Sequence, residues 1–266
     1  MSFAGSMGSG GENKNTGFRW RFMLTAGVGF FADAYELFIM GVVTAILAPI
    51  WHLTIFQQAI LNGASLASAA LGAITFGFLS DRFGRKKLYG CEIAVLFVGA
   101  FLSSSAQTFT WLLFARIIVG LGIGGDYPSS AVVASEHSCA QRRGFMVLLV
   151  FAMQAVGLIF ASLLASLFLS TSIEHAIVWR CLLGFGMIPS ASVFYLRRTI
   201  EESPHYARAK DIPHEASRVV SDLAGLEDDV VRLRYKKQHL FKGKWIKYLI
   251  GTAGAWFLMD VALYGN

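Results

Sequence analysis

Three aspartates sit inside apolar runs long enough to be membrane: Asp33 in GVGFFADAYELF, Asp126 in LGIGGDYPSSA and Asp260 in AWFLMDVALYG. A charged side chain at the centre of a membrane helix costs at least about 2.5–3.5 kcal/mol, so an acid at that depth faces a cavity or a partner. Cations to neutralise them are scarce: no lysine lies deep in an apolar run, and Arg116 is the one deep basic candidate. At least one of the three acids is therefore expected to spend part of its time protonated, which makes it a proton carrier. Hydrogen-bond donors accompany the acids. Trp256, Asp260 and Tyr264 are spaced four apart, which stacks them on one helix face. An indole N–H, a protonated carboxyl and a phenol can all donate to one anion, and Tyr127 and Gln154 are further candidates. A carboxylate repels an anion unless it is protonated, so this set supplies a reason for a proton and an anion to travel together.

The elements that must position these groups are membrane helices. The 266 residues are 55% hydrophobic and only 15% charged, with a mean hydropathy of +0.55, too apolar for a soluble domain of this size. A span needs about 20 mostly apolar residues, and seven windows qualify: 22–48, 58–80, 88–106, 109–133, 144–168, 176–196 and 246–265. The domains expected are a disordered cytosolic tail over 1–20, a six-helix bundle over 21–197, a cytosolic linker with short helices over 198–244, and a seventh helix over 245–266. The tail lacks the apolar stretch of a signal peptide.

Lys and Arg set the orientation. Arg82, Arg85, Lys86 and Lys87 follow the second span and Arg142 and Arg143 the fourth, whereas the connections around WHLTIFQQ and SSSAQTFT have none. The positive-inside rule then places the amino terminus, the 2–3 and 4–5 connections and the linker in the cytosol. This dispersal of basic residues between apolar stretches also argues against a nucleic-acid partner, despite the net charge of +6. Cys91, Cys139 and Cys181 are odd in number and scattered, which fits neither a disulfide framework nor a zinc site. No cofactor or metal is expected, and the polar residues near Asp126 form no nucleophile–base pair, so an enzyme is not expected either.

Six spans, a charged connection and the start of another set is the layout of a transporter built from two six-helix halves, each a pair of three-helix repeats. GFLSDRFGRKK closely resembles the 2–3 loop signature of the major facilitator superfamily, with Gly77, Asp81, Arg82, Gly84, Arg85 and Lys86 at its positions. Physically, Gly77 would permit close helix approach, and the charged residues could form pairs that break as the halves rock. RIIVGLGIGG, beginning at Arg116, and EESP after the sixth span add weaker likeness. GGDYPSSA, GVGFFADAYELF, FAMQ and GTAGAWFLMDVALYG resemble, in the same order, phrases of the superfamily's inorganic phosphate:proton symporters.

That resemblance implies an all-α membrane protein: the amino-terminal six-helix bundle of the superfamily, a cytosolic linker and a truncated start of the second half. It implies phosphate binding at Asp33, Asp126, Tyr127, Gln154, Trp256, Asp260 and Tyr264, and proton coupling at Asp33, Asp126 and Asp260, with inorganic phosphate, protons and the lipid bilayer as partners, in the plasma membrane. Read singly, Trp256 and Tyr264 also suit packing or interfacial aromatics, and Gln154 an interhelical hydrogen bond. Asp33 also suits a gate or proton step, work that Glu36 one turn on could share. Ser129 stands where the family usually has Leu, a change expected to alter packing near Pro128 more than chemistry. Two six-helix halves need roughly twice this length, so a second chain supplying the remaining helices is an expected partner. The alternatives are a sugar or organic-anion carrier on the same scaffold, and a non-transporting product or modulator of a full-length carrier.

Overall fold

The structure is a computed structural model; it describes residues 12–83, 88–136, 143–198 and 244–264, with side chains for 24–80, 82–83, 88–135, 144–198, 246–255 and 258. The described residues form the helices α1 Glu12–Ile50, α2 Ile55–Phe83, α3 Cys91–Ser104, α4 Phe109–Glu136, α5 Arg143–Leu169, α6 His175–Phe185, α7 Met187–Arg197 and α8 Lys244–Tyr264. The chain divides into two compact units, 1–225 holding α1 to α7 and 226–266 holding α8. Among the described residues, five stretches are long and apolar enough to cross a membrane: Leu24–Ile50, Ile55–Ser80, Phe109–Ser135, Gly144–Leu169 and His175–Arg197. Their outward faces are apolar too, as Ile74, Phe78, Leu148, Leu163 and Leu167 illustrate, and this is the pattern of helices solvated by lipid.

Backbone contact made possible by glycine holds the bundle together, as expected where lipid competes for apolar side chains. Gly120 and Gly124 lay α4 directly on α2: a Cβ at Gly124 would fall 1.9 Å from the Ala69 carbonyl oxygen, and one at Gly120 2.1 Å from that of Ser65. Gly122 brings α4 to 2.9 Å from the Glu92 carbonyl of α3 in the same sense, and Gly157 brings α5 to 2.6 Å from the Phe31 carbonyl of α1. The most extensive contacts are α2 with α4 and α1 with α5. These two pairs exchange when the first three spans are swapped with the next three, as a bundle of two repeats requires.

Turn chemistry sets the helix ends. Thr54 and Gln57 form a capping box at the start of α2, with Thr54 N–H donating to Gln57 Oε1 at 2.9 Å and Gln57 N–H to Thr54 Oγ1 at 3.2 Å. The α1 terminus closes through His52 at φ 50°, with Leu53 N–H donating to the Ala48 carbonyl at 3.0 Å.

Three boundaries differ from expectation. Helix α1 begins at Glu12, within the stretch expected to be disordered, because a helix once nucleated extends through tolerant residues at little cost. Helix α3 spans only 14 residues, since Tyr89 and Gly90 are taken by the preceding turn. The sixth span is interrupted at Gly186: Pro189 has no N–H for the Phe185 carbonyl four residues back, and Gly186 accepts the break. The linker expected over 198–244 lies, from residue 199 to 243, outside the described residues.

Candidate functional site

Gly29, Asp33 and Glu36 lie along one face of α1 at i, i+4 and i+7. That face meets α4, α6 and α7, and two buried polar layers form against it.

In the first layer Arg116 of α4 donates from Nη1 to Glu36 Oε2 at 2.7 Å and from Nη2 to the Glu36 carbonyl at 2.9 Å. Its Nε donates to Ser65 Oγ at 3.2 Å, and that hydroxyl in turn donates to the Arg116 carbonyl at 3.1 Å. Both charged side chains are fully buried. A Cβ at Gly186 would lie 1.8 Å from Glu36 Oε1, so the break in the sixth span is also what gives this carboxyl room.

The second layer surrounds Asp126. Arg197, the last residue of α7, turns inward and places Nη2 2.6 Å from Asp126 Oδ1. The same Nη2 donates to Ser130 Oγ at 2.9 Å and Nη1 to the Tyr89 carbonyl at 3.2 Å, while the guanidinium carbon lies 4.0 Å from the centre of the Tyr89 ring. Ser130 donates to Asp126 Oδ1 at 2.7 Å, which leaves the Tyr89 hydroxyl to donate to Ser130 Oγ at 3.1 Å. Ser129 donates to Glu92 Oε1 at 2.6 Å. Gly29 makes the approach possible, because a Cβ there would fall 2.3 Å from Arg197 Nη2 and 2.6 Å from Asp126 Oδ2. Both oxygens of Asp33 are buried without a donor among the described residues, and the charges that act on it are Asp126, Arg197 and Glu36.

Of the expected site residues, Asp33 lies within electrostatic reach of Asp126, and Tyr127 meets Gln154. The Gln154 amide of α5 donates to the Tyr127 hydroxyl, and the Tyr127 ring packs 4.7 Å from Phe30, which packs 4.5 Å from Phe151. Trp256, Asp260 and Tyr264 fall on α8 at four-residue spacing, but their side chains lie outside the described residues. Of the loop signature, Gly84, Arg85 and Lys86 lie outside the described residues, as does the side chain of Asp81. Arg82 sits over the ring of Phe83, 5.8 Å from its centre.

Three expectations are corrected. Arg116 does not neutralise the aspartates; it is taken by Glu36, and the cation on Asp126 is Arg197, whose place at a span end resembled an ordinary topology signal. Gly77 mediates no close helix approach among the described residues: no atom lies within 4 Å of a Cβ built there, because it lines a cavity of about 130 Å³ with Ser80, Tyr89, Pro128 and Ser129. Ser129 is chemical as well as steric, because it bonds Glu92, a buried acid that the span pattern passed over. The available signal for Glu92 was its isolation as the single charge in CEIAVLFVGAFLSS.

Comparison with known proteins agrees with this architecture. Residues 18–261 match the family model described as Sugar (and other) transporter. The chain is 32% identical to low affinity inorganic phosphate transporter 4 of Medicago truncatula, over 92% of this chain and 55% of that protein. It is 33% identical to probable inorganic phosphate transporter 1-3 of Arabidopsis thaliana, over 92% and 56%. The chain therefore spans about half the length of the curated relatives it matches. Among solved structures, the proton:xylose symporter XylE bound to 6-bromo-6-deoxy-D-glucose superposes with a TM-score of 0.70 at 18% identity, over 82% of this chain and 51% of that one. A partially occluded inward-open form of XylE from E. coli gives 0.69 at 19% identity, over 81% and 56%. With its helical bundle, apolar spans and buried charge layers, the chain belongs to the Sugar (and other) transporter family.

Proposed function

We propose that this chain serves proton-coupled transport of inorganic phosphate across the plasma membrane, with its amino terminus in the cytosol. The observation that carries the reading is the buried Asp126, followed by Tyr127 with its hydroxyl bonded to Gln154, in a chain about a third identical to proteins named inorganic phosphate transporters. The acid supplies a proton site, and the phenol and amide supply donors suited to an oxyanion. Trp256, Asp260 and Tyr264 are further phosphate-binding residues in this reading, and Asp33 and Asp260 share the proton step with Asp126. The α2–α3 connection, with Gly77, Asp81, Arg82, Gly84, Arg85 and Lys86, forms the cytosolic gate. Alternating access between two halves requires helices beyond those of this chain, from its continuation or from a second chain.

The test is uptake of radiolabelled phosphate into liposomes containing the purified chain. Uptake is expected to rise when the outside is acidified and to collapse with an uncoupler. Uptake indifferent to both would reject proton coupling, and competition by xylose in place of phosphate would replace the substrate. No uptake, together with capture of a full-length carrier, would assign the chain a modulating role.

A further inference from the structure

The layer around Asp126 has an uneven charge balance. Among the described residues, the titratable and charged groups that face it are Asp33 from α1, Tyr89 from the turn before α3, Glu92 from α3 and Arg197 from α7, with the hydroxyls of Ser129 and Ser130 from α4. Glu36 acts on Asp33 but has Arg116 as its own counter-ion. Asp33, Glu92 and Asp126 are three carboxyls around one guanidinium, so the layer is neutral when two of them hold protons. Asp126 is the carboxyl in contact with that guanidinium, and its Oδ2 is buried without a partner. With Asp33 and Glu92 holding those two protons, a third proton arriving on Asp126 Oδ2 removes the remaining negative charge and leaves Arg197 uncompensated.

Arg197 cannot easily follow its lost partner. Ser130 Oγ, the Tyr89 carbonyl and the Tyr89 ring hold the guanidinium in place, and Gly29 closes over it. The positive charge therefore remains in the low-dielectric bundle, where its field reaches further than in water. Tyr127, the residue after Asp126, and Gln154 bonded to it carry donors suited to an oxyanion.

We propose that Arg197 is the cation that couples proton to anion: Asp126 cancels it while ionised, and it attracts phosphate electrostatically once Asp126 is protonated. Arg197 is a positioning residue in this scheme; it need not touch phosphate. The proposal rests on the phosphate reading above.

The test is equilibrium binding of radiolabelled phosphate to the purified chain at one acidic pH, so that the ionisation of phosphate itself is the same for every variant. Asp126→Asn, which removes the negative charge and keeps Arg197, is expected to bind at least as tightly as the unaltered chain. Asp126→Asn with Arg197→Gln removes both charges and avoids stranding either one. It is expected to bind roughly ten- to twenty-fold more weakly than Asp126→Asn, the scale of one unit charge about 10 Å away at an effective dielectric near 20. Asp126→Asn with Arg197→Lys is expected to recover most of that loss, which a purely structural role for the guanidinium would not allow. Equal affinity of Asp126→Asn with and without Arg197→Gln would overturn the role of Arg197 and leave the phosphate reading standing. Absence of phosphate binding by the unaltered chain would overturn both.

Discussion

Replacing Arg116 by Met should be among the most damaging single changes in the bundle. Arg116 is fully buried and gives Glu36 Oε2 its one bond, at 2.7 Å, while Glu36 Oε1 has no partner at all. Removing the guanidinium strands a carboxyl in the protein interior, which costs about 3–5 kcal/mol. The bond to the Glu36 carbonyl adds little, because that oxygen lies mid-helix and also accepts from its own helix, and Ser65 can still donate to the residue 116 carbonyl. Glu36→Gln added to Arg116→Met removes the stranded charge, so the double variant should recover about 2–3 kcal/mol, a coupling typical of contacting residues. The assay is reversible denaturant unfolding of the purified chain in mixed micelles, taken through the full double-mutant cycle. A cost for Arg116→Met below about 1 kcal/mol, or a double variant less stable than Arg116→Met alone, would refute the account of the first layer as a charge-compensated pair.

Gly124→Ala should cost about 1–3 kcal/mol or more, because its Cβ would lie 1.9 Å from the Ala69 carbonyl oxygen and backbone cannot yield as a side chain can. Gly41→Ala, where no atom lies within 4 Å, should instead be neutral or stabilising by up to about 1 kcal/mol from helix propensity; thermal unfolding of the two side by side separates packing from propensity. Ser129→Ala removes the donor to Glu92 Oε1, whose Oε2 is already buried without one, and should cost about 1–3 kcal/mol by the same unfolding measurement.

Much of the architecture was readable from residue order. Apolar windows locate the spans because a bilayer demands continuous apolar length, and the glycines of LGIGG suit close helix packing, as Gly122, Gly124 and Gly125 prove to do. Asp33, Asp126, Tyr127 and Gln154 were legible as rare polar groups in apolar runs; Asp33 comes within electrostatic reach of Asp126, and Gln154 bonds Tyr127. The errors have a common origin. Arg197, in the run YLRRTIEE, looked like one more charge at a span end, and Glu92 is a single charge in the first turn of the otherwise apolar α3.

What the sequence by itself determined is which segments enter the membrane and which polar residues go in with them, because transfer into hydrocarbon is set residue by residue and is nearly independent of partners. The pairing of those polar residues was decided only by the tertiary structure. A membrane helix is apolar on most of its faces, so its sequence has little periodicity to say which side turns inward. Arg116 meets Glu36, and Arg197 meets Asp126, because glycine contacts between α4 and its neighbours and the break at Gly186 set the helix rotations and separations. Those are properties of the packed bundle, and no single segment contains them.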